Sequence, residues 1–221
     1  MMVATAPEST SGAAGWLDPF LAGWRPGSAD PKEIREPATG RPLLSVAQST
    51  ADDVRRAAAA AAAAQPAWAA TSYQERAAVL RRAAEIYEAH RPEFGTWTMR
   101  ETGAAHGKMH HEAGFAHQEI LNAATLPSQP YGSLLPSQQP GRLSMARRVP
   151  IGVVGAITPW NSPTVLGMRV VAPALALGNA VVLKPDPQTP VCGGAVFASV
   201  FREAGLPDGL LQVVVGGADV G

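Results

Sequence analysis

The sequence predicts an α/β chain, with a helical first part followed by a parallel βαβαβ half-sheet. Three observations carry this. Between Val149 and Leu183 the only charge is Arg169, yet Pro150, Pro159, Pro163 and Pro173, with Asn161 and Asn179, cut the stretch into pieces too short for a bilayer. Short apolar runs then alternate with helical stretches, which implies parallel strands and right-handed crossovers. Gly178-Asn179 and Gly205-Leu206-Pro207 supply the helix stops between them.

Each element follows from local chemistry. Residues 1–30 are rich in Ala, Ser, Gly and Pro and read as a flexible tail. Glu36–Pro42 is a turn flanked by a short strand at Leu43, Leu44 and Val46. Thr50 with Asp53 resembles a capping box and opens a helix through the alanine run Ala57–Ala64. Ser72 with Glu75 is a second one. Beyond it Val79, Ala83 and Ile86 with Leu80, Ala84 and Tyr87 form an apolar stripe, and Arg76, Arg81 and Glu88 face water. Pro92 suits the first turn of a third helix that Gly103 closes, and a fourth spans His106–Ala124. A strand at Leu143–Val149 follows the Pro136–Gly141 loop. The half-sheet then reads strand 151–157, helix 163–177, strand 180–184, helix 190–204 and strand 211–215. Doubly wound folds use two such halves, so the sheet is expected to be incomplete.

The bulk numbers exclude several classes of function. Of 221 residues, 46% are hydrophobic and 16% charged, as in a globular enzyme core. Lys plus Arg (18) equals Asp plus Glu (18), so no net field recruits nucleic acid or an acidic membrane surface. Cys192 is the only cysteine, which excludes an intrachain disulfide and a cysteine zinc site. The first thirty residues lack a basic-then-apolar secretory layout, so a cytoplasmic protein is expected.

Neither a G-x-G-x-x-G turn after a strand nor a G-x-x-x-x-G-K-[ST] loop occurs, so any nucleotide is held another way. Asn161 follows the first half-sheet strand. It is either a turn residue capping the next helix or an amide donor for a developing oxyanion, a role worth about 2.7–4 kcal/mol. Lys184 ends the second strand. It is either a snorkelling surface lysine or one of two convergent polar groups at adjacent strand ends, where open α/β sheets bind nucleotides. Cys192 opens a helix, which favours a thiolate, but no base stands near it in the pattern, and it reads as a packing residue. His106, His110, His111 and His117 lack further ligands at metal spacing and read as a solvated surface, so no metal is expected.

Several motifs now occur in order: Pro37-Ala38-Thr39-Gly40, Arg100-Glu101-Thr102-Gly103, Arg147-Arg148-Val149-Pro150-Ile151-Gly152, Thr158-Pro159-Trp160-Asn161, Leu183-Lys184-Pro185 and Ala204-Gly205-Leu206-Pro207-Asp208-Gly209. From about Lys32 onward the chain resembles the NAD(P)-dependent aldehyde dehydrogenase superfamily. Asp186-Pro187, Thr189-Pro190 and Gly193-Gly194 look most like its aromatic-aldehyde members.

The resemblance implies a flexible tail over 1–30, the helical part of a cofactor domain over 31–137, an oligomerisation-arm strand over 138–150, and the first half of a Rossmann-like cofactor domain over 151–221. It makes Asn161 the side-chain half of an oxyanion hole. It assigns NAD or NADP contacts to Ile157, Thr158, Pro159, Trp160, Lys184, Pro185, Asp186, Pro187, Gly217 and Gly221. Thr158, Pro159 and Trp160 line the nicotinamide-ribose end, Lys184 meets the adenosine ribose and Gly217 the adenine side. Many NAD-preferring relatives carry a glutamate where this chain has Pro187, which implies acceptance of NADP as well as NAD. The family's nucleophilic cysteine and general-base glutamate would lie beyond Gly221, so the catalytic domain is expected to be absent and the chain inactive alone. Its substrate would be a small aldehyde and its relatives are homo-oligomers. A non-catalytic nucleotide-binding or interaction module is the alternative.

Overall fold

Both capping boxes form, and they fix where the helical part begins. A computed structural model describes residues 15–221. In it the Thr50 hydroxyl accepts from the Asp53 N–H (3.2 Å) while the Asp53 carboxylate accepts from the Thr50 N–H (2.7 Å). Ser72 and Glu75 repeat the exchange at 3.1 and 2.8 Å. Helix α2 (Ala51–Ala70) and helix α3 (Tyr73–Ala89) start there. Helix α4 (Arg91–Thr102) ends on Gly103, whose left-handed φ of 71° needs glycine. Helix α5 covers His106–Thr125. Arg76, expected in water, instead donates to the carbonyls of Ala176 (3.0 Å) and Thr71 (2.6 Å).

The tail expected over 1–30 is corrected from Gly15 onward; residues 1–14 lie outside the described residues. Helix α1 (Asp18–Gly23) seats Leu17 and Leu21 in the core. Trp16 stacks on His90 with ring centroids 4.6 Å apart. Composition hid these apolar anchors among small residues. Strand β1 (Ala29–Arg35) was also unforeseen, because only Ile34 of its seven residues is buried and no alternation shows. It pairs antiparallel with β2 (Pro42–Gln48).

The expected strand at Leu143–Val149 contracts to β4 (Ser144–Arg147), and its antiparallel partner is β3 (Gly132–Leu135). Leu134, Leu143 and Met145 stand exposed on or beside this hairpin.

The half-sheet is parallel, in the order β5 (Val153–Ile157), β6 (Ala180–Lys184), β7 (Leu211–Val213). Strand β6 is central and buried along its whole length, as a strand covered on both faces must be. Helix α6 (Pro163–Ala176) makes the first crossover. The second was expected as one helix over 190–204. It is a π-helical turn, Val191–Ala195, followed by α7 (Val196–Glu203). The wide turn coincides with two glycines pressed onto their neighbours. A Cβ on Gly193 would sit 3.2 Å from Pro163 Cβ, and one on Gly194 3.1 Å from Pro185 Cγ. Strand β7 is two residues shorter than expected because Val215 leaves the ladder and exchanges hydrogen bonds with Ser49. Phe197, Phe201, Met168, Leu175, Leu183 and Tyr87 fill the core between sheet and helices. Among the described residues no helix is long and apolar enough to cross a membrane.

Candidate functional site

The last rung of the β5–β6 ladder pairs Ile157 with Lys184. One residue further, the Thr158 N–H donates to the Lys184 carbonyl at 3.1 Å. The Thr158–Ser162 loop therefore leaves the sheet directly beside Lys184, at the carboxyl edge of neighbouring strands. Ile157, Pro159, Trp160 and Asn161 are exposed there, whereas Thr158 and Lys184 are buried. Among the described residues Lys184 makes no ion pair, and the buried Thr158 hydroxyl has no hydrogen-bond partner. Buried polar groups are rarely left so.

Gly221 returns to the same edge. A Cβ built on it would lie 3.7 Å from Lys184 Cε and 3.8 Å from Ile157 Cδ1. Gly217 is brought near only through the turn it opens, whose Val220 N–H donates to the Gly217 carbonyl at 3.3 Å. Pro185 is turned inward against Gly193 and Gly194. Asp186 shapes the following loop: its side chain accepts from the Gln188 N–H (2.9 Å) and its carbonyl from the Thr189 N–H (2.9 Å). Pro187 is partly exposed on that loop.

Asn161 does not cap α6. The N-cap is Ser162, which makes no side-chain cap bond. The first turn is served instead by Glu112 of α5, whose carboxylate accepts from the Thr164 N–H (3.0 Å) and the Thr164 hydroxyl (2.6 Å). The crossover after β6 is served in the same manner from α4. Glu101 accepts from the N–H groups of Val191 (2.9 Å) and Cys192 (2.7 Å). Sequence reasoning missed both carboxylates, because a cap that arrives from fifty to ninety residues away leaves no local signature. The one hint was a helix start, Ser162-Pro163, without a carboxylate or amide in its own first turn.

Burial pushes the Glu101 carboxyl up to about 7, against the opposing pull of its bonds from Cys192 and Val191. Burial likewise drives the Cys192 thiol well above its ordinary range, with the charge of Glu101 adding to the rise. A helix start therefore does not make this cysteine a thiolate. His106, His110 and His111 are exposed, and among the described residues no group of three His, Cys, Asp or Glu side chains could hold a metal ion.

A parallel β–α–β edge that presents a loop amide and an unpaired ammonium defines an α/β protein of the doubly wound class, with its candidate cleft at the strands' carboxyl ends. The chain belongs to the aldehyde dehydrogenase family, whose profile matches residues 24–221. It is 55% identical over 202 residues to a vanillin dehydrogenase of an Amycolatopsis species, covering 91% of this chain and 41% of that protein. To a benzaldehyde dehydrogenase (NAD+) of Pseudomonas putida it is 48% identical, covering 91% and 42%. The structure superposes on an NAD-dependent benzaldehyde dehydrogenase from Corynebacterium glutamicum with a TM-score of 0.84 and 41% identity, covering 89% of this chain and 43% of the other. The chain thus spans about two-fifths of the length of the proteins it matches.

Proposed function

We propose that this chain is the coenzyme-binding portion of an NAD(P)-dependent dehydrogenase that oxidises an aromatic aldehyde to its carboxylic acid. The observation that supports it best is the shared strand edge of Ile157 and Lys184, with the Asn161 loop on one side and Gly221 on the other. Among the described residues this ammonium meets no carboxylate and the buried Thr158 hydroxyl has no partner, which suits a ligand rich in hydroxyl and phosphate oxygens. Lys184 would hold the adenosine ribose, with Pro185, Asp186 and Pro187 shaping that wall and Gly217 and Gly221 allowing close approach on the adenine side. Thr158, Pro159 and Trp160, with Ile157, would line the nicotinamide-ribose end. When bound, the dinucleotide accepts the hydride.

The chain's own contribution to the chemistry is Asn161. Its amide N–H would donate to the aldehyde oxygen as that oxygen gains negative charge, an interaction stronger in the transition state than in the ground state. The attacking sulfur does not come from Cys192, which is sealed in the core with a raised pKa. In this reading the thiolate and the general base belong to the rest of the family's length, and the chain alone has no turnover.

Titration of the chain with NAD and NADP, read by the quenching of tryptophan fluorescence that Trp160→Phe removes, tests the coenzyme site; Trp160 is the exposed tryptophan at this edge. Saturable binding that Lys184→Met weakens at least tenfold is expected. Absence of binding at millimolar coenzyme, or aldehyde-dependent reduction by the chain that Cys192→Ser removes, contradicts the proposal.

A further inference from the structure

Helix α5 reaches the Asn161 loop through one ion pair. Lys108 and Glu112 stand one turn apart and meet at 2.8 Å. From that pair Lys108 Nζ donates to the backbone carbonyl of Asn161 at 2.6 Å. The Glu112 side chain, 3% exposed, accepts from both Thr164 donors. One salt-bridged pair therefore grips the chain on either side of Ser162-Pro163. Nothing local replaces it: Ser162 makes no side-chain cap bond, and Pro163 has no N–H to offer.

The Asn161 side chain is exposed, and among the described residues no hydrogen bond holds its amide. Its direction is therefore set by its backbone, and its backbone is fastened at the carbonyl by Lys108. The ammonium also neutralises a carboxylate that would otherwise be buried alone, at a cost typical of unpaired buried charge. Glu112 in turn lies at the positive end of α6.

We infer that Lys108 and Glu112 are positioning residues for the Asn161 amide, an inference that rests on the oxyanion role proposed for Asn161. Misplacing a catalytic group by about 1 Å can cost on the order of a hundredfold in rate, so a loop left unfastened loses turnover while coenzyme contacts at Lys184 persist.

Backbone 15N relaxation on the chain tests the fastening without reference to catalysis. Lys108 is half exposed, so its replacement opens no core cavity, and urea unfolding of Lys108→Met measures separately what the unpaired Glu112 carboxylate costs. Order parameters at Trp160, Asn161 and Ser162 near about 0.85 are expected for the parent and for Lys108→Arg, falling below about 0.6 in Lys108→Met. Unchanged order in Lys108→Met overturns the inference, whatever the kinetics. In the complete dehydrogenase carrying this segment, Lys108→Met is expected to lower kcat by about tenfold to a hundredfold with the coenzyme KM unchanged. The same substitution should add nothing in an Asn161→Ala background. Full additivity of the two also overturns it. Should Lys108→Met loosen the loop while Asn161→Ala leaves turnover intact, the fastening stands and the proposed role of Asn161 falls.

Discussion

The carboxylate of Glu101 accepts the backbone N–H of Cys192 at 2.7 Å, joining residues 91 positions apart. The relationship repeats through the molecule. Glu93 accepts from the N–H groups of Trp16 (2.9 Å) and Leu17 (3.0 Å) ahead of α1, and Glu112 serves α6. Three glutamates of α4 and α5 thus satisfy backbone donors at or just before the starts of helical segments, where the first N–H groups have no partner within the helix. Glu93 and Glu112 also set negative charge against the positive end of a helix. The helical part is therefore bound to the half-sheet by polar bonds as well as by packing, and it anchors both segments that border the candidate site. Gln188 adds a further tie, donating to the carbonyls of Arg35 (3.0 Å) and Glu101 (3.2 Å).

The Glu101 contact has a pH signature. Its folded pKa, about 7, lies above the ordinary 4.5, so the folded state holds that proton more tightly than the unfolded chain does. The stability linked to this proton is fully present below pH 4.5 and is lost as pH rises to 7, on the order of 3 kcal/mol over the interval. Glu101→Gln keeps an oxygen acceptor and never ionises. Urea unfolding between pH 4.5 and 8 should show the parent losing stability relative to this variant as pH rises. Parallel profiles for the two chains would remove Glu101 as the cause.

Cys192 is expected to be chemically silent in the native chain. It is fully buried, and both desolvation and the neighbouring Glu101 charge oppose the thiolate that a disulfide reagent needs. Labelling at neutral pH should proceed only as fast as the chain unfolds and reach one thiol per chain in denaturant. Stoichiometric reaction of the folded protein within seconds would show that the thiol is open and activated.

What was legible in the sequence was whatever depends on neighbours along the chain. The capping boxes at Thr50 and Ser72, the glycine stop at Gly103 and the apolar run of β6 are local, and each lies where the residues indicate. The neighbouring ends of β5 and β6 followed because two short apolar runs joined by one helix pair in parallel through a right-handed crossover. Illegible were contacts made across the fold. Strand β1 has only Ile34 to bury, α1 is held by anchors spaced through an Ala- and Gly-rich stretch, and Glu101, Glu112 and Lys108 act on residues more than fifty positions away. The π turn at Val191–Ala195 was hidden for the same reason, since the crowding at Gly193 and Gly194 comes from Pro163 and Pro185.

Close helix packing makes Gly167 a sensitive position. A Cβ there would meet Phe197 Cε2 at 2.4 Å, and that ring is fully buried. Gly167→Ala gains up to about 1 kcal/mol of helix propensity. Overpacking against a ring with nowhere to move costs about 1–3 kcal/mol, so net destabilisation is expected. Gly114→Ala, in the middle of α5 with only Arg91 Nη1 at 3.6 Å, is the control and should stabilise by about 0.5–1 kcal/mol. Equal shifts in chemical unfolding for the two variants would mean that α6 and α7 are further apart than described.

Coenzyme selectivity should turn on Pro187. The loop after Lys184 carries Asp186, but its side chain is engaged by the Gln188 N–H and its carbonyl by Thr189, which fixes the loop. The next position offers an uncharged ring. If Lys184 meets the adenosine ribose as proposed, a 2′-phosphate there finds an attractive ammonium and no carboxylate at residue 187 to repel it. Charges about 4 Å apart near a protein surface interact by up to about 4 kcal/mol before screening, so even a discounted fraction shifts binding severalfold. Pro187→Glu should therefore weaken NADP at least tenfold while leaving NAD within about threefold, and the effect should shrink as salt is raised. Fluorescence titrations of both chains with both coenzymes decide it. A parent chain that already prefers NAD more than a hundredfold, or a variant whose NADP affinity is unchanged, would show that the ribose lies elsewhere on the strand edge.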